Sequence, residues 1–64
     1  MFIVRLHIAE KESPTFEFAS MEIAEQFCLA ATQVKDVQSA MICKHDVGKN
    51  MLILKTYVRG HYLG

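Results

Sequence analysis

The chain has 64 residues, seven basic side chains against seven acidic ones, and 52% hydrophobic residues. That length leaves no room for a second domain. The neutral balance lacks the cationic footprint that drives non-specific nucleic-acid binding, and no apolar run approaches a membrane span.

A domain this small buries only about 60% of its unfolded surface. So high an apolar content therefore points to burial against another chain, and a homodimer is the expected state. The amino-terminal MFIVRLHIAEKE interrupts its apolar stretch with Arg5 and His7, which is not a signal-peptide pattern. Two cysteines and four methionines fit a reducing cytosol.

FIVRLHI alternates, with Phe2, Val4, Leu6 and Ile8 on one side and Ile3, Arg5 and His7 on the other, as a strand with one buried face does. EKESP reads as a turn ending at Pro14. TFEF resumes the alternation, sending Phe16 and Phe18 one way and Thr15 and Glu17 the other, and reads as a short second strand. The period changes at Ser20, a good N-cap. Ile23, Phe27, Ala30, Ala31 and Val34 then share one helical face. Glu22 and Glu25 near the start and Lys35 near the end suit the helix dipole, so a helix is expected from Met21 to about Val34.

Two further strands, VQSAMICKH and MLILKTYVR, flank DVGKN. Gly48-Lys49 suits a two-residue type II′ hairpin, and a VGKN loop gives the same register. Both place Met41 opposite Thr56, Cys43 opposite Leu54 and His45 opposite Leu52. With Leu52, Leu54, Thr56 and Val58 taken as the buried face, Cys43 points into the core, while Lys44 and Asp46 point away. The order is ββαββ, or βαββ if TFEF is a loop. Either is a single α+β domain over residues 1–64, with one helix packed on one face of a mostly antiparallel sheet. GHYLG, residues 60–64, is expected to be a loose tail.

The stretch CKHD, residues 43–46, gathers a thiol, an ammonium, an imidazole and a carboxylate. On a strand, Cys43 and His45 fall on the opposite side from Asp46, so a Cys–His–Asp catalytic set does not assemble. Structural zinc wants four ligands, usually in close pairs. No such pair occurs, so neither a metal nor any other cofactor is expected, and Cys28 and Cys43 read as two inert core thiols. In length and βαββ order the chain resembles the small tautomerases, whose subunits associate through their sheets. That family uses a proline directly after the initiator methionine as its catalytic amine. Position 2 here is Phe2, so its activity does not carry over.

No catalytic residues are assigned, and a non-enzymatic role is expected. The sheet face away from the helix should carry Ile3, Arg5 and His7, then Ala40, Ile42 and Lys44, then Ile53, Lys55, Tyr57 and Arg59. Such a mixed apolar and cationic face suits protein–protein contact. The expected interface residues are Ile3, Arg5, Ile42, Ile53, Lys55, Tyr57 and Arg59, and the expected partners are a second copy of the chain and another protein. An adaptor, inhibitor or regulatory role follows. The alternative is single-stranded nucleic-acid binding, with Tyr57 stacking on bases and Arg5, Lys55 and Arg59 holding phosphates. A small oligomeric enzyme is a minor third reading.

Overall fold

A computed structural model describes residues 1–45 and 50–64. Five strands and one helix follow in the order β1 (Phe2–Ile8), β2 (Thr15–Phe18), α1 (Met21–Ala31), β3 (Val37–His45), β4 (Met51–Val58) and β5 (His61–Tyr62). The strands form one sheet in the order β2-β1-β3-β4-β5, and every neighbouring pair is antiparallel. β2 and β3 both oppose β1, so they run parallel to each other, and α1 carries the chain over β1 between them. This is the expected α+β domain with a helix on one face of an antiparallel sheet, and TFEF is a strand.

The helix begins where the sequence puts it. The Ser20 hydroxyl accepts a hydrogen bond from the Ile23 amide at 3.4 Å, and Glu22 sits in the first turn. It ends earlier than the apolar pattern suggests. Gln33 and Val34 bond back three residues, to the carbonyls of Ala30 and Ala31, which tightens the last turn and lets the chain leave.

The buried stripe of α1 is also displaced by about one residue. Ala24 and Cys28 are fully buried. Of the expected face, Phe27 and Ala31 are partly buried, Ala30 is exposed, and Ile23 and Val34 are both 57% exposed. The helix is apolar on much of its circumference, so hydrophobic spacing admits more than one stripe. The stripe chosen sets two small side chains against the sheet. It also leaves Phe27 at the flank, with ring centroids 5.2 Å from both Phe16 and Phe18.

Under the helix lie Val4 and Leu6 of β1, Val37, Ala40 and Ile42 of β3, and Tyr57 of β4. The placement of Ala40, Ile42 and Tyr57 corrects the expected faces of β3 and β4. β4 carries bulky apolar groups on both sides, so its alternation does not by itself name the inner one. The β3–β4 register holds as expected at Met41–Thr56, then shifts between Ile42 and Cys43, because Leu54 is an extra residue on β4. Cys43 therefore lies opposite Ile53 and His45 opposite Met51, instead of Leu54 and Leu52. The turn expected at Gly48-Lys49 and the position of Asp46 lie outside the described residues.

Residues 60–64 are not a loose tail. Arg59 (φ 51°) and Gly60 (φ 78°) both take left-handed backbone angles, which makes the two-residue turn that a right-handed strand twist favours. β5 then pairs with β4 at Tyr57–Tyr62 and Val58–His61. Beyond it the Leu63 amide donates to the Thr56 carbonyl at 2.8 Å. Thr32, 2% exposed, ties this turn to the helix: its hydroxyl donates to the Cys28 carbonyl at 2.7 Å and accepts from the Gly60 amide at 2.9 Å.

Candidate protein-binding surface

The expected contact residues divide between the two faces of the sheet. Ile3 and Arg5 are on the face away from α1, Ile3 half-buried and Arg5 exposed. Ile53, opposite Cys43, shares that face and is largely exposed. Ile42 has no exposure and Tyr57 only 2%, because both pack under the helix. The Tyr57 ring lies in the core, so the stacking platform expected for single-stranded nucleic acid is not on the surface. Burial also raises its phenol above the usual value.

Lys55 is on the helix side as well. Its ammonium donates to Glu25 Oε1 at 2.7 Å and stands 5.5 Å from the Tyr62 ring centroid. The hydrogen bond to Glu25 is the main reason its pKa is raised. Tyr62 in turn lies 5.4 Å from Tyr57. Lys55 thus ties α1 to β4 and β5, while Arg59 sits exposed at the β4–β5 turn.

Cys43 is buried, but on the face away from the helix. Its neighbour Ile42 points inward and its cross-strand partner is Ile3, so strand alternation puts the thiol outward. Burial raises its pKa, with Arg5 pulling the other way. The Cys28 thiol is pushed up to about 11, first by burial, then by Cys43 and Glu25. Both sulfurs are therefore protonated and weakly nucleophilic near neutrality. Within CKHD, Lys44 and His45 are exposed on alternate sides of the strand. Among the described residues no group of three His, Cys, Asp or Glu side chains converges to hold a metal, and no helix is long and apolar enough to cross a membrane.

Two surface features were not anticipated. One is an open cleft of about 700 Å³ between the end of α1 and the β4–β5 turn, lined by residues that include Gln33, Lys35, Gln38 and Arg59. The other is the start of β4. Met51, Leu52, Ile53 and Leu54 are consecutive, apolar and 38–59% exposed, so the strand presents hydrophobic side chains on both its faces. The cleft is a tertiary product with no local signal. The run MLIL is visible in the sequence, but strand alternation alone assigns half of it to the core.

Comparison of the chain with protein-family models, curated proteins and solved structures gave no match.

Proposed function

We propose that this chain is a small non-catalytic domain of the cytosol that acts by binding protein, both a second copy of itself and another protein, in an adaptor or inhibitory role. The support is the exposed run Met51–Leu54. Four adjacent large apolar side chains expose both faces of one strand segment, not the scattered single residues that any soluble surface carries. Tyr62 and Leu63, also exposed, add to it near the carboxy-terminal end.

Binding is led by apolar contact, with Ile3 and Arg5 at the rim of the outer face. A core of apolar anchors inside a polar rim is the usual anatomy of such surfaces. Quantitative affinity capture with the wild-type chain and the variant Ile53→Lys tests this. Removing one buried isoleucine costs about 1.5–3 kcal/mol, so the partner should be retained in stoichiometric amount by the wild type and lost about tenfold or more by the variant. In dilute protein the thermal midpoint should hardly change, since Ile53 is exposed in the single chain. Equal retention by both, or no stoichiometric partner, would refute the proposal.

A further inference from the structure

β4 is eight residues long, but β5 and the residues after it pair only with its second half. The described pairings on that side are Val58, Tyr57 and Thr56. Among the described residues, no strand pairs with Met51–Leu54 on the side away from β3. The Thr56 amide donates to the Gly64 carbonyl, and its own carbonyl accepts from Leu63, so Thr56 turns its backbone groups away from β3. In an antiparallel ladder successive residues alternate in this respect. Lys55 therefore faces Ile42, Leu54 is the bulge, Ile53 and Met51 aim their N–H and C=O groups at the open side, and Leu52 faces Lys44.

The remaining edges of the sheet are guarded and this one is not. β2 follows Pro14 directly and carries the exposed Glu17, both of which discourage a further strand. β5 has only two residues. Met51–Leu54 contains no charge, no proline and no glycine. An occupant must supply backbone donors and acceptors along its length and apolar side chains on both faces. A docked helix meets neither demand, whereas an added strand meets both.

We infer that the occupant is Met51–Ile53 of a second copy, added antiparallel across a two-fold axis at Leu52, so that the two five-stranded sheets become one continuous sheet. This rests on the protein-binding reading above and names its first partner. The register follows from the alternation. Met51 lies opposite Ile53 of the second copy, and both turn their backbone groups toward each other. Leu52 lies against Leu52 of the second copy at a position without backbone hydrogen bonds. Met51, Leu52 and Ile53 each then meet an apolar side chain across the seam. Of the other strong apolar run, Phe2-Ile3-Val4, Ile3 and Val4 are already paired on both edges, by β2 and β3.

The test is thiol cross-linking of the full chain combined with sedimentation velocity across a range of concentrations up to the sub-millimolar. Residues facing each other at a non-hydrogen-bonded antiparallel position have Cα atoms about 4.5 Å apart, within the roughly 4.4–6.8 Å that a disulfide spans. Leu52→Cys should therefore oxidise to a covalent dimer whose two chains are joined through the introduced thiols, identified by peptide mass spectrometry. Ile53→Cys, facing Met51 of the second copy, should close at least tenfold more slowly. Both sites are exposed, and the native Cys28 and Cys43 are buried. The wild type should sediment as a monomer–dimer equilibrium.

Faster closure at residue 53 than at 52 overturns the register. A chain that stays monomeric throughout, with slow closure at both positions, overturns the dimer. If that monomer still captures a partner through Ile53, the self-pairing fails while the protein-binding proposal stands.

Discussion

Replacing Thr32 by valine removes one hydroxyl and little else, and its consequence can be worked from the hydrogen bonds it makes. The hydroxyl donates to the Cys28 carbonyl at 2.7 Å and accepts from the Gly60 amide at 2.9 Å. Cys28 keeps a second donor, the Thr32 amide at 3.0 Å, so its carbonyl is not stranded. Among the described residues the part-buried Gly60 amide has no second acceptor, and an unsatisfied buried donor costs about 1–3 kcal/mol. Part of that is offset by the extra methyl, which leaves a net loss of about 1–2 kcal/mol. The whole domain should hold about 3–10 kcal/mol, at the usual range per residue. The loss is therefore large, equivalent to a fall of about 4–16 °C in Tm. Urea unfolding followed by circular dichroism measures it. Thr32→Ser keeps the hydroxyl and gives up a methyl, so it should be the less damaging of the two. If valine were tolerated within about 0.5 kcal/mol, or if serine were the worse substitution, Thr32 would be acting by packing alone and not as the tie between helix and turn.

Alkaline pH should weaken the fold. The folded Cys28 thiol holds its proton to about 11 against an ordinary 9.0, so the unfolded chain releases that proton first. Stability is then fully present below pH 9 and falls as the pH rises toward 11, by about 2–3 kcal/mol for a shift of this size. The raised thiol of Cys43 and phenol of Tyr57 act in the same direction. Denaturation midpoints across this window should drop less steeply in Cys28→Ala, and an identical slope would remove Cys28 as a cause. Arg59 holds φ 51° with a side chain that disfavours it. Arg59→Asn, which makes the Asn-Gly pair favoured in such turns, should stabilise the domain by about 0.5–1 kcal/mol. A lower Tm in that variant would mean that the arginine side chain contributes a contact of its own.

The elements were legible in the sequence because their signals are local. The alternation of FIVRLHI and TFEF, the Ser20 cap and the change of period after it are properties of short stretches, and each became the expected element. The inner faces of β3 and β4 were not legible, because MLILKTYV carries bulky apolar groups on both sides. Choosing Tyr57 over Leu52 and Leu54 depends on what α1 places above the sheet. The bulge at Leu54 has no glycine to mark it. The stripe of α1 was ambiguous for a related reason: spacing favours Ile23 and Val34, but the close approach of helix to sheet selects Ala24 and Cys28. The β4–β5 turn does leave a trace, in Arg59-Gly60 between Val58 and His61. That trace is faint because arginine is an unusual first residue for a turn of this type.

The candidate surface was legible only in part. Ile3, Arg5 and Ile53 lie on the expected outer face, and Ile42 and Tyr57 were drawn into the core. That no strand among the described residues covers Met51–Leu54 could not be read from composition, since it follows from where β5 stops.

Amide hydrogen exchange at Ile53 and Leu52, measured as the concentration of the full chain is raised, tests the account most directly. The Leu52 amide faces β3 and should be protected at every concentration. The Ile53 amide faces the open edge, and should exchange freely when the protein is dilute and become protected as a second strand adds to it. Protection of Ile53 that is already complete in dilute monomer, or that never appears at any concentration or with a captured partner, would contradict an edge built for pairing.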